Sequence, residues 1–322
     1  DNDSIRENQL INLHKIIGTQ IESHLIRNKN TTLNALLHYR KFFAQHETQV
    51  VPQQDYLIGN LLYHQQLWKG GMRLQAFYEL GNGQEAQREF QYLRVADGKG
   101  IYKWTDYNGD GIQQLDEFEI AEYADLAQYI RIYTNAIQYL PSNKNKTQFS
   151  LFLNPATLFN SENKFLKRFQ LNLSLNSQNA YLKNNRFWVL NPFEKNKDQI
   201  LKNQTLLAAL QFHTNEISGW NGVYRFTDNN HILNANFSQE ARASKTHLLT
   251  IGYWFHKDFR IDWENTATQI TNASEVLSNR NFLLHNIETQ PKLTYKLSSA
   301  FQSELSGSWK HRNRKDGEER LR

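Results

Sequence analysis

Apolar and polar residues alternate along most of this chain. Leu33, Ala35, Leu37 and Tyr39 interleave with Asn34, His38 and Arg40, and Met72, Leu74, Ala76, Tyr78 and Leu80 interleave with Arg73, Gln75 and Glu79. A period of two sends successive side chains to opposite faces, so residues 15–95 read as paired strands with one apolar and one wet face. Lys69-Gly70-Gly71 offers the positive φ that a tight hairpin demands, and Gly81-Asn82-Gly83 repeats the signal ahead of Glu89 to Val95. Alternation returns in Phe165, Phe169, Leu171, Leu173 and Leu175, and in Phe259, Ile261 and Trp263. It closes in one face made of Leu293, Tyr295, Leu297, Phe301, Leu305 and Trp309, with polar gaps at 177–185 and 271–281 between the runs.

The middle of the chain differs in kind. An acidic loop follows Ile101-Tyr102-Lys103-Trp104, and Ile120, Tyr123, Ala124, Ala127 and Ile130 then recur at helical spacing, which predicts a short helix. Pro141-Ser142-Asn143-Lys144-Asn145-Lys146 predicts a turn or linker. The organisation expected is therefore antiparallel hairpins over 1–97, a loop and short helix inserted at 98–140, and further strands of the same barrel or sheet over 141–322. Several runs reach ten residues or more, beyond the roughly five or six usual in globular strands. That length matches the roughly 9–11 residues of a membrane-crossing strand. The fold class expected is mainly β, a long-stranded antiparallel sheet forming part of an outer-membrane β-barrel. The alternative is a soluble sandwich that packs its apolar face on a second sheet.

Composition sharpens this picture. Hydrophobic residues make up 39% and aromatics 13%, with a mean hydropathy of -0.71; that pairing suits strands apolar on one face only. There is no cysteine, which excludes disulfides, thiol catalysis and zinc–thiolate sites. The net charge of +5 would suit an acidic partner, but opposite signs are mixed along most of the chain and read as a solvated surface. Nucleic acid is not an expected partner; a lipid bilayer with its lipopolysaccharide is, as are protein partners in an envelope complex. No stretch approaches the roughly 18–20 apolar residues of a membrane helix. The chain opens at Asp1 without Met and ends in a charged segment around Lys310-His311-Arg312, and reads as processed or partial.

One motif carries chemistry. Asp106-Tyr107-Asn108-Gly109-Asp110-Gly111-Ile112-Gln113-Gln114-Leu115-Asp116-Glu117 matches the calcium-loop pattern D-x-[DN]-x-[DN]-G-x5-E at every defined place. Asp106, Asn108 and Asp110 supply side-chain oxygens, Gly111 the sharp turn and Ile112 a backbone carbonyl. Gln114 holds the place that often acts through water, and Glu117 can give two oxygens. The dozen residues resemble an EF-hand loop, with Phe118 and the helical spacing beyond it as the exiting helix and a strand in place of the entering one. The loop is solitary and the chain has one Met, so a structural Ca2+ is expected and a calcium sensor is not.

The wider segment, from Gly98-Lys99-Gly100-Ile101-Tyr102 through the loop to Tyr129-Ile130-Arg131-Ile132-Tyr133, is similar to a segment of large outer-membrane and cell-surface proteins of the Bacteroidota. That resemblance implies a secretion, assembly or surface-complex component of the type IX secretion kind, and it carries over no catalytic residue. No H-E-x-x-H, phosphate-binding glycine loop, dinucleotide fingerprint or G-x-S-x-G elbow is present. Catalytic residues are therefore not assigned, and His213 and His256 receive no role. Trp220, Trp254, Trp263 and Trp309 fit a membrane girdle, a sugar platform or a core alike.

Three functions follow. The first is a non-enzymatic barrel component of an envelope transport, secretion or assembly complex in the outer membrane of a Gram-negative bacterium. The second is a secreted or cell-surface calcium-stabilised binding or adhesion module, carbohydrate-directed in one version. The third is a glycan-active enzyme.

Overall fold

The computed structural model describes residues 2–6, 9–44, 55–121, 124–183, 191, 193, 198–214, 219–235, 238–256, 258–274, 281–297 and 301–316. Sixteen strands occur among them: β1 (Asn2–Arg6), β2 (Gln9–Arg27), β3 (Thr31–Ala44), β4 (Tyr56–Leu67), β5 (Met72–Arg94), β6 (Tyr102–Trp104), β7 (Phe118–Ile120) and β8 (Tyr129–Leu153). The series continues with β9 (Phe169–Leu182), β10 (Gln199–His213), β11 (Gly219–Ala235), β12 (Ser238–His256), β13 (Phe259–Ser274), β14 (Phe282–Lys296), β15 (Gln302–Ser306) and β16 (Trp309–Asp316). They form one antiparallel sheet in the order β1-β2-β3-β4-β5-β8-β9-β10-β11-β12-β13-β14-β15, with β16 also on β14 and the short β6–β7 pair off this path. The sheet is open among the described residues, since β1 and β15 each pair on one side only.

The long strands run where the alternation predicts them, and the cross-strand register aligns their apolar positions. Leu173 of β9 faces Leu151 of β8 and Ala208 of β10, and Ala208 faces Phe226 of β11. Further along, Tyr253 of β12, Ile261 of β13 and Leu293 of β14 share a row. These rows make a belt on one face. Leu37, Leu61, Leu210, Leu249, Ile251, Ile261, Trp263 and Leu293, all on it, are between 38% and 55% exposed. Buried positions on the strands are largely polar instead: Asn145, Ser177, Asn179, Gln199, Gln204, Ser274 and Thr294.

The belt is slanted across the sheet. The row through Leu37 of β3 passes Gly59, Leu80, Asn145, Asn179, Lys202, Ile232 and Ala241 to Ala273 of β13. On β3 the apolar face is centred near that row, but on β13 it centres near Ile261, twelve residues lower after eight pairings. At about 3.4 Å per residue and about 4.8 Å between strands, that drift corresponds to strands tilted by about 45° to the belt. The opposite face carries ion pairs: Arg260 to Asp262 (2.6 Å), Lys292 to Glu304 (2.8 Å) and Lys310 to Glu288 (3.0 Å). Gly252 makes room there, because a Cβ would lie 2.5 Å from Asp262 Oδ1.

Several expectations fail for identifiable reasons. Gly81-Asn82-Gly83 is no turn but the middle of β5. It lies where the neighbour β4 begins, and the Asn82 side chain accepts from Leu57 N (2.6 Å) and donates to Asp55 O (2.8 Å), standing in for strand backbone. Pro141 to Lys146 is no linker but part of the continuous β8. Pro141 carries no N–H, and it sits just where β9 pairing stops, which starts from Ser142. The polar gap at 177–185 is strand as far as Leu182, and Asn184 and Asn185 lie outside the described residues. The closing apolar face is folded back on itself: Leu297 N donates to Phe301 O (3.1 Å), and β15 and β16 return along β14. The hairpin at Lys69-Gly70-Gly71 is present, with Gly70 at φ 91°.

Beyond Gly81 on β5 and before Ser142 on β8, the two strands pair only with each other among the long strands. This ribbon extends past the sheet by about 13 residues a side, or about 40 Å. Residues 95–128 cap its tip.

Candidate metal centre

The predicted helix after the calcium loop is absent. No α-helix occurs among the described residues of 98–140; the loop is followed by strand β7, a 3-10 turn at Ala124–Leu126 and then β8, while Tyr123 lies outside the described residues. The helical spacing of Ala124, Ala127 and Ile130 arises from that turn feeding a strand. β6 and β7 pair as a hairpin, Tyr102 with Ile120, Lys103 with Glu119 and Trp104 with Phe118, and Thr105 N donates to Glu117 O (2.9 Å). The calcium-type loop is thus the connection of a β-hairpin.

That hairpin docks on the ribbon through backbone. Gly100 N donates to Ala127 O, Ile101 N to Tyr129 O and Gln128 N to Tyr102 O, at 2.8, 2.8 and 3.0 Å. Gly100 is required here, because a Cβ would lie 2.5 Å from Tyr129 N. Side chains fill the joint: Phe118 stacks on Tyr92 at 4.1 Å between centroids and meets Tyr129 edge-on at 4.9 Å. Phe118, Ala127 and Tyr129 are buried. Lys103 pairs with Glu119 at 3.0 Å along the hairpin.

Inside the loop, side-chain oxygens organise the backbone. Asp106 Oδ1 accepts from Gly109 N (2.7 Å) and its Oδ2 from Gly111 N (2.9 Å). Asn108 Oδ1 accepts from Asp110 N (2.9 Å), and Asp110 Oδ1 from Ile112 N (2.7 Å). Gly109 and Gly111 take φ of 74° and 70°, the left-handed region that such a coil needs at these places. Gln114 donates through Nε2 to Asp110 Oδ2 (2.8 Å). The result gathers one oxygen each from Asp106, Asp110 and Glu117 within 4.8 Å of one another. Asn108, Asp110, Ile112 and Gln114 are exposed, Asp106 is half-buried and Glu117 is 2% exposed.

Glu117 is the loop carboxylate whose surroundings best suit a counter-charge. Its Oε2 accepts from the indole Nε1 of Trp104 (2.8 Å) and from Gln114 N (3.2 Å), whereas Oε1 is buried with no hydrogen-bond partner. A buried acceptor left so costs about 1–3 kcal/mol, and more when it is charged. Three carboxylates this close also repel one another unless a cation lies between them. An oxygen-only donor set suits a hard dication such as Ca2+, and the residues present fit one.

All six predicted ligand positions therefore fall on one loop, and the structure brings the three carboxylates together. Sequence reasoning missed Trp104, which donates to the Glu117 carboxylate, and the Tyr92, Phe118 and Tyr129 cluster beneath it. The aromatic residues flanking the loop on each side were the available signal. No protein-family model matches the chain, and no curated protein matches it.

Proposed function

We propose that the chain is a non-enzymatic β-barrel component of an outer membrane, serving an envelope transport, secretion or assembly complex, with a structural Ca2+ in the loop at the ribbon tip. The observation that carries this reading is the slanted apolar belt opposite an ion-paired face. A soluble sheet of this width needs a second layer over its apolar side, and the described residues form one sheet. The chain exposes 21654 Å², against about 14,000 Å² for a compact soluble protein of its mass. The belt's tilt of about 45° matches the strand tilt of membrane barrels. Each strand from β3 to β5 and from β8 to β14 has 12 residues or more, enough to cross a bilayer.

The longest connection between described strands, the 34 residues 95–128, lies at the end opposite Asn28 to Asn30 and Trp68 to Gly71, although the 15 residues 154–168 join β8 to β9 at the short-turn end and only residues 236–237 join β11 to β12 at the ribbon end. Membrane barrels have long external loops, and on this reading the candidate metal loop faces outside. Trp220, Phe255, Phe259 and Trp263 are all exposed on the belt face, where aromatic side chains suit the level of a membrane interface.

The test is detergent dependence followed by reconstitution. The full chain is expected to stay monomeric and folded only in detergent or lipid, and Trp263 fluorescence is expected to be quenched by lipids brominated on their acyl chains. A chain that remains monomeric and β-folded in plain buffer overturns the membrane reading.

A further inference from the structure

We infer that Trp104 sets the cation selectivity of the loop by holding Glu117 to a single ligand oxygen. This rests on the reading that the loop holds a divalent cation. In loops of this spacing the last Glu gives Ca2+ both oxygens, which raises the coordination number above six. Here the indole N–H of Trp104 and the amide of Gln114 both bind Oε2, and only Oε1 is left with no hydrogen bond. The arrangement is enforced by the fold. Trp104 lies on β6 directly opposite Phe118 of β7, and Phe118 is locked by Tyr92 and Tyr129. Glu117 is itself buried, so its carboxylate has little room to turn. Rotating it to offer both oxygens would strip the indole of its acceptor.

The ligand set then counts six: one oxygen each from Asp106, Asn108 and Asp110, the Ile112 carbonyl, the Gln114 position directly or through water, and Glu117 Oε1. Ca2+ accepts six to eight oxygens, whereas Mg2+ demands six. A loop that offers both oxygens of its last Glu excludes Mg2+ by number, and a six-oxygen loop does not. The site is therefore a general hard-dication site, filled by Mg2+ as well as Ca2+, and the Trp104 indole is the positioning group responsible.

Calorimetric titration of chelator-stripped full chain in detergent micelles, with CaCl2 and MgCl2 separately, tests this. Both cations are expected to bind one to one, with Ca2+ favoured by less than about a hundredfold. Trp104→Phe, which keeps a ring but removes the donor, is expected to raise Ca2+ affinity about tenfold while Mg2+ affinity moves by less than about twofold. Uptake of Ca2+ with none of Mg2+ overturns the inference and leaves the loop reading intact. An unchanged preference in a Trp104→Phe chain with native circular dichroism overturns it too. If that variant does not fold, the wild-type indole Nε1–H resonance of Trp104 decides, because a hydrogen bond kept on Ca2+ addition supports the inference and its loss overturns it. Uptake of neither cation overturns both readings.

Discussion

The sheet and the ribbon tip differ in what they bury. On the sheet, leucine, isoleucine and tryptophan are exposed while asparagine, serine and glutamine are buried. At the tip an apolar cluster is inside, with Phe118, Ala127 and Tyr129 buried beside Glu117, while Asn108, Asp110 and Gln114 are outside together with Ile101, Ile112 and Leu126. One chain with a single overall composition thus carries two solvation patterns, divided where the ribbon leaves the sheet near Gly81 and Ser142. The difference teaches that apolar exposure is defined against the local solvent. Under the proposed membrane reading, the aromatic cluster at the tip packs in water and the belt faces lipid.

The sharpest way to break the contrast is to empty the tip's core. Phe118→Ala removes a ring packed against Tyr92 and Tyr129, and such truncations cost about 3–5 kcal/mol when the side chain is fully buried. The loss is expected to be local: hydrogen exchange over 95–128 rises while the sheet amides keep their protection. Loss of protection throughout the sheet would mean that the two regions fold as one unit. The next largest effect belongs to the belt. Leu210→Arg puts a charge on the apolar face, and at mid-bilayer depth it is expected to cost about 2–4 kcal/mol, read as a lower urea midpoint in liposomes. An unchanged midpoint would show that the belt is not in lipid.

These contrasts also explain what was legible beforehand. Strand alternation was readable because a period of two appears whether the apolar face meets lipid or a core; for the same reason Leu171 and Leu173 did not reveal which. The candidate metal loop was readable because its expected ligands lie within twelve consecutive residues. Trp104 was not, because its bond to Glu117 depends on the β6–β7 register, which no local spacing records. Gly81-Asn82-Gly83 and Pro141 misled as turn signals because both occur inside a strand where a neighbouring strand starts or stops. Small and imino residues are tolerated there, where part of the ladder is missing. Asn82 tests this directly. Asn82→Ala removes both bonds that end β4, and a loss of about 1–2 kcal/mol is expected, with faster exchange at Leu57 as its signature. Exchange at Leu57 unchanged from wild type would deny the capping role.

The smallest expected effect is the most discriminating, because it repeats the belt substitution in the other solvent. Ile112 is 64% exposed at the ribbon tip and Leu210 is 41% exposed on the belt, so by exposure alone Ile112 is the more solvated of the two aliphatic side chains. Its side chain has no part in the candidate metal loop, whose expected ligand at this place is the backbone carbonyl. Ile112→Arg in water buries nothing and breaks no partner, and is expected to change stability by less than about 0.5 kcal/mol. Measured in the same liposomes as Leu210→Arg, the pair holds the chemistry of the change nearly constant and varies the surroundings. A penalty confined to Leu210 assigns lipid to the belt and water to the tip. Equal small penalties would put both in water, and equal large ones would draw the tip down into the membrane interface.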